Sequence, residues 1–479
     1  MKLAVIGSGA AAHAVLAEIR RRQPGATVDV YDAAEPESAC AVPTDPEHYN
    51  AVYRTLKQRE GLSFPPPKSH FGTAVDSRPQ AQMENNWQRP GGLTNYWGAT
   101  CLPFSDEDLR LLGLSREQLD PYYERVAGLL KIAGDANSKL ALRHQHRFIQ
   151  AAPVRRLPLF EKLDAAVNDP ASQRFVAGSN CVALDTAPES PTSCTYCGHC
   201  LAGCYRQALF CSASDTARAQ QPETIRYRKA LVERIDLDSR QIVLQGRGQA
   251  QRSEPYDRIF LAAGCVQSTA IALRSTGLSQ AVTLYDNAIV QFPIVYTGRG
   301  VPGSKNYFAL SQSLITCSES GSLIQVYPFA DHLLRTAVPE LLWPALRPLV
   351  SLLRARLLIG RLYLHSDHSH QYRMKLQAGD VAMTKTREPD QASAQPIIAA
   401  LATLLKPGGF RVLGALTSGT RTSSHFASTL VDAAGVSPQS GRLAEHVYCC
   451  DAAMFRMSPA LSPTFSIMAN ATRIAEAAL

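Results

Sequence analysis

The sequence predicts an α/β protein with a doubly wound core, and three observations predict it. The chain opens on a short apolar run, Lys2–Ile6, that breaks into Gly7-Ser8-Gly9 and continues as a helical stretch to about Arg22. Strand-like runs such as Arg258–Ala262 and Ala288–Tyr296 alternate with helical ones further on. The composition, 45% apolar and 19% charged over 479 residues, is an ordinary globular balance and excludes disordered, collagenous and fibrous classes. At roughly 150 residues per domain the length suggests two to three domains. A chain of this size buries a large core without a disulfide or metal staple.

The first element carries a motif. Gly7-Ser8-Gly9-Ala10-Ala11-Ala12 is G-x-G-x-x-A, a form of the dinucleotide fingerprint. Gly7 permits the tight turn, Gly9 lets the backbone approach a pyrophosphate, and Ala12 permits close helix–strand packing. The helix N-terminus then faces the phosphate charge. A second strand, Thr27–Tyr31, ends in Asp32, placed to accept hydrogen bonds from a ribose hydroxyl. The motif alone does not separate FAD from NAD.

The middle of the chain holds a second motif. Of twelve cysteines, Cys194, Cys197, Cys200, Cys204 and Cys211 crowd into one segment. The first four spell C-x2-C-x2-C-x3-C, the spacing of bacterial ferredoxin loops, and predict an iron–sulfur cluster, four-iron or three-iron. The last ligand is Cys204, or else Cys211 or Cys181. Zinc also takes four thiolates, but its sites usually pair two C-x2-C units across a longer gap. The usual proline after the last cysteine is Tyr205 here.

Charge and hydropathy bound the partners. Lys and Arg number 49 against 41 acidic residues, a net +8, and no dense basic tract with interleaved aromatics points to nucleic acid. The N-terminus lacks the charged region, long apolar run and cleavage site of a secretion signal, so the expected compartment is the cytoplasm. Clustered thiols in a reducing compartment read as metal ligands or redox groups. The Leu- and Arg-rich segment 333–362 could touch a membrane surface as a basic amphipathic stretch. The plainer expectation is a lid or a packed surface helix.

Further segments resemble the glucose–methanol–choline family of FAD-dependent oxidoreductases. Gln88-Arg89-Pro90-Gly91-Gly92-Leu93-Thr94-Asn95-Tyr96-Trp97-Gly98-Ala99 is similar to that family's flavin loop. Phe104–Leu130 resembles the helical segment that follows it, and Tyr256–Gly277, with Ala263 and Gly264, resembles a strand–turn–helix unit that contacts FAD. At the C-terminal end Asp451-Ala452-Ala453 and Ser458–Ala475, with Pro463 and Thr464, resemble the closing motif, and Ser424–Thr429 resembles His-x-x-Gly-Thr. The resemblance implies an α/β Rossmann-type FAD-binding domain interleaved with an α+β substrate domain on an antiparallel sheet, plus the ferredoxin-like cysteine loop. The expected boundaries are 1–105, 181–295 and 421–479 for the FAD domain, with the cysteine loop at 181–215, and 106–180 and 296–420 for the substrate domain.

The resemblance also assigns roles. His425 falls on the catalytic base, and a neutral imidazole suits removal of a hydroxyl proton near neutral pH. His446 and the run His365, His368 and His370 are rival imidazoles. The partner of the base, His or Asn in the family, is Ser462 here; it keeps hydrogen-bonding ability without imidazole basicity. The family's glycine in His-x-x-Gly-Thr is Ser428. The implied activity is oxidation of an alcohol or sugar hydroxyl on a small molecule, with electrons leaving through the cluster to a carrier such as ferredoxin. Two other readings are a ferredoxin-fed reductase of an alkene, ketone or iminium, and a non-catalytic flavin- or zinc-binding partner protein.

Overall fold

The computed structural model describes residues 1–33, 90–95, 97–170, 173–198, 200, 204, 206–213, 223–245, 251–299, 307–329, 345, 348 and 355–479. Two sheets organise them. In the first, β1 (Lys2–Ile6) lies at the centre of a six-stranded sheet, between β2 (Thr27–Asp32) and the strand Arg258–Leu261. Ile225–Lys229 extends it on one side and Val447–Cys449 on the other, all parallel. Arg442–Ala444 closes one edge in antiparallel sense. β1 is buried on both faces, as its Leu-Ala-Val-Ile run requires. Helix α1 (Ala10–Arg22) and the helix Thr464–Ala478 pack together against this sheet, joined by the helix Arg116–Leu130.

The second sheet is antiparallel. Its order is Phe410–Val412, Ala288–Tyr296, Leu357–Tyr363, Leu323–Pro328, Ser313–Cys317 and Phe175–Ser179, with Arg421–Thr422 also pairing to Ala288–Tyr296. Alternate residues of Ala288–Tyr296 are buried, so this sheet has one covered face. The cover is a separate apolar cluster, in which Phe160 and Leu163 of the helix Pro158–Val167 and Leu401 and Leu405 of the helix Gln391–Leu405 pack on Phe292 and Ile294. The opposite face turns toward the parallel-sheet domain. Val282–Tyr285 and Ala427–Ser428 belong to a four-stranded antiparallel sheet that links the two parts.

Helix N-termini divide into two kinds. Ser105 and Ser115 close capping boxes on the helices Asp106–Leu111 and Arg116–Leu130. Gly9, Gly264 and Pro463, which precede α1, the helix Cys265–Thr276 and the helix Thr464–Ala478, supply no side-chain cap. The segment 333–362 lies mainly outside the described residues; its end is no helix but the strand Leu357–Tyr363. No helix among the described residues is long and apolar enough to cross a membrane.

Candidate active site

A cavity of about 570 Å³ runs along the ends of the parallel strands. It is walled by Gly7–Ala11, Asp32, Gly92–Thr94, Trp97, Ala262–Cys265, His425, Asp451, Pro463 and Thr464. These three uncapped helix N-termini open onto it, so free backbone N–H groups and positive dipole ends converge on one space. That is a receptor for phosphate and other anionic groups.

Its walls are fixed by the sequence in detail. Gly7 holds φ at +109°, and a Cβ there would stand 2.2 Å from the carbonyl oxygen of Ala262, so no other residue lets β1 turn this close to its neighbour. Ser8 Oγ donates to Asp32 at 2.5 Å and accepts from the N–H of Gly91 at 2.9 Å, tying the first turn to the loop Gly91–Asn95. Asn95 Nδ2 donates to the carbonyls of Pro90 and Gly92, closing that loop on itself. Asp451 accepts from Gly264 N–H at 2.8 Å, Ser268 Oγ at 2.5 Å and Ala453 N–H at 2.9 Å. Burial pushes its carboxyl up against those donors. Ala12, on the first turn of α1, is fully buried inside the fold rather than on the cavity wall. Arg89 lies outside the described residues.

The mouth of the cavity carries His425. Its pKa is lowered to about 4 because burial disfavours the imidazolium, so the ring is neutral at pH 7. Nδ1 is buried without a hydrogen-bond partner. With the proton on Nδ1, Nε2 would carry the free lone pair. The ring stacks on Tyr363, with centroids 5.5 Å apart and planes at 13°. Its backbone is clamped from both sides. Asp286, fully buried, accepts from Ser423 N–H and Oγ, and Ser423 Oγ accepts from His425 N–H at 3.1 Å. Ser458 Oγ, itself 2.7 Å from Asn287 Oδ1, donates to the carbonyl of His425 at 2.9 Å. Burial raises the Asp286 carboxyl to about 7.

Ser462 is buried beside this mouth, and its hydroxyl accepts from Gln325 Nε2 at 3.0 Å. Gln325 Oε1 accepts from Tyr327 OH at 2.6 Å and lies 3.5 Å from Tyr363 OH. Gln325, Tyr327 and Tyr363 carry no motif; the alternation of their strands is the one sequence signal that places them on a common face. The rival imidazoles lie elsewhere: His446 bonds Arg258, His368 bonds Ser393, His365 accepts from Asp367 N–H, and His370 is buried. His425 is the one imidazole among the described residues on the cavity wall.

The cysteine loop is bonded to the cavity wall. Trp97 Nε1 donates to the carbonyl of Phe210, and Ser212 N–H donates to Thr94 Oγ1. Cys211 lies 3.4 Å from Asn95 Oδ1, and Cys181 neighbours Cys101 in the core. Cys194, Cys197, Cys200 and Cys204 neighbour one another, and Tyr196 N–H and Ala208 N–H donate to the sulfurs of Cys194 and Cys204. Burial raises the Cys194 thiol to about 11. Among the described residues no three His, Cys, Asp or Glu side chains converge as a metal site would.

No protein-family model and no curated protein matches the chain. Solved structures do. Pyridoxine 4-oxidase from Mesorbium loti superposes with a TM-score of 0.60 at 14% identity, covering 99% of this chain and 98% of that one. Formate oxidase of Aspergillus oryzae RIB40, as its R554A variant from work on FAD modification, gives 0.60 at 12% identity, with 99% and 97% covered. At such identities the likeness is one of fold, and it extends over the whole length of both chains.

Proposed function

We propose that this chain is an FAD-dependent oxidoreductase of the glucose–methanol–choline family, acting on the CH–OH group of a small molecule. The observation that carries the reading is a neutral, clamped imidazole at the mouth of a cavity with three uncapped helix N-termini. The glycine cradle, the Ser8–Asp32 pair and the converging amides fit the pyrophosphate and ribose of a dinucleotide. FAD, when bound, supplies the hydride acceptor. His425 Nε2 would take the hydroxyl proton, and Ser462, oriented by Gln325, would hold the substrate oxygen. The stacked Tyr363 ring keeps the imidazole in one plane and water away from one of its faces. Gly91, Gly92, Thr94, Asn95, Trp97, Ala263, Gly264, Pro463 and Thr464 would line the flavin.

By their spacing Cys194, Cys197, Cys200 and Cys204 would hold an iron–sulfur cluster, four-iron, although their side chains do not stand converged as a metal site. The amide donors to two of the sulfurs support this, because N–H groups that accept no other role commonly steady cluster thiolates. Such a centre would supply a one-electron outlet to a carrier such as ferredoxin. Iron and acid-labile sulfide, measured on protein purified without oxygen, test it. Zinc in their place, or no metal, would remove it.

The oxidative reading is tested by mixing FAD-loaded protein with primary and secondary alcohols in the absence of oxygen. Bleaching of the flavin near 450 nm that falls about 10²- to 10⁴-fold in His425→Gln is the expected result. Reduced ferredoxin driving reduction of an alkene or ketone, with no alcohol bleaching the flavin, would replace it by the reductase reading.

A further inference from the structure

The face of the antiparallel sheet that turns toward the parallel sheet carries a cation that the proton-transfer chemistry does not use. Arg361 is two residues from Tyr363 on the same strand, so both side chains stand on one face. It sits opposite Gln325 in register. Its guanidinium lies 4.6 Å above the ring of Tyr327, and it is close enough to Tyr363 to weigh on that hydroxyl's ionisation. Its Nε is buried and has no acceptor. Among the described residues no carboxylate pairs with it, whereas Arg156 and Arg274 each meet an aspartate at 2.5–2.6 Å.

A guanidinium stays charged at every accessible pH. A partly buried charge without a counter-ion is costly, and stacking on tyrosine recovers only part of that cost. Arg361 Nε is closed off and the guanidinium also interacts with the Tyr363 hydroxyl, so the rest of its terminal fork is what is left for a ligand. That planar fork matches a carboxylate or phosphate. From Arg361 side-chain contacts run through Tyr327 and Gln325 to Ser462, and through Tyr363 to the stacked ring of His425. An anionic group held by Arg361 would therefore lie on the side of the sheet that meets the proposed base.

Resting on the oxidative reading above, we propose that Arg361 is the receptor for an oxyanion on the substrate. The preferred alcohol would then bear a carboxylate or a phosphate rather than being a neutral sugar.

The test uses FAD-loaded protein without oxygen. Benzoate and inorganic phosphate are titrated while the flavin spectrum is followed, and 4-(hydroxymethyl)benzoate is compared with benzyl alcohol as reductant. Saturable binding of one anion is expected, weakened about 10- to 100-fold in Arg361→Gln and less in Arg361→Lys. Whichever anion binds identifies the oxyanion class. The variant should raise the apparent KM for the carboxylate alcohol and leave benzyl alcohol within about twofold. If Arg361→Gln does not load FAD, Arg361→Lys against the unaltered protein carries the same comparison. Neither anion binding, equal binding to all three proteins, or an equal loss with both alcohols would overturn the assignment. Failure of every alcohol to bleach the flavin, with Arg361-dependent anion binding intact, would instead sink the oxidative reading and leave the receptor standing.

Discussion

His425 draws its chemistry from what surrounds it rather than from its own ordinary basicity. Desolvation lowers its pKa to about 4, so burial alone keeps the proposed base unprotonated at any pH well above that value. The rate of flavin reduction should therefore fall on the acid side with a midpoint near 4, not 6.5, as a pH series by stopped flow would read. Asp286 runs the other way. The folded carboxyl keeps its proton to about 7, against about 4 in an unfolded chain. The folded state thus binds more protons between those values, and this group's contribution to stability is lost as pH rises through them. Asp286→Asn should flatten urea-measured stability between pH 5 and 8 by on the order of 2 kcal/mol. It should also slow flavin reduction about tenfold, because Ser423 and with it His425 lose an anchor. The sequence made His425 readable by resemblance. It could not show Asp286, whose role depends on a link between two sheets folding back under a loop some 137 positions away.

At the scale of elements, the strand–turn–helix unit at the start was legible because its residues are dictated locally. Gly7, the apolar β1 and Asp32 each answer a constraint inside the same thirty residues. Gly7→Ala should abolish FAD retention through gel filtration, since the new Cβ meets backbone that cannot yield. The melting temperature should fall at the same time. The antiparallel sheet was expected only through resemblance, and its working face was unreadable. Gln325 and Arg361 face each other across strands although they are 36 positions apart in sequence. No period in either strand distinguishes a polar residue that meets a ligand from one that meets water. The end of the segment 333–362, read as helical from its leucines and arginines, is a strand because it pairs on both sides.

Across the whole molecule, three helices are joined by charge as well as packing. Glu18 and Glu476 share Arg21, Arg22 and Arg125, which brings together α1, the helix Arg116–Leu130 and the helix Thr464–Ala478. Burial opposes ionisation of Glu476, but hydrogen bonds from Arg22 and Arg125 prevail and hold its carboxyl down to about 2. Its stabilising effect is present above the ordinary carboxylate range and is lost as pH falls toward 2. Glu476→Gln should therefore lower the melting temperature at pH 7, lower it less at pH 3, and leave it little changed only near pH 2. The effect should shrink in high salt, because the arginines are largely exposed.

The cavity takes one wall from Gly7–Ala11 and another from Asp451, Pro463 and Thr464. A nascent chain emerging from the ribosome cannot assemble that space while the second wall is still being synthesised. On the proposed function, FAD loading would thus be a late event in the life of each molecule, and until then the apolar strands of the parallel sheet wait without their last parallel neighbour, Val447–Cys449. Starving cells of flavin should leave full-length chains that are more easily cut by protease, rather than truncated ones.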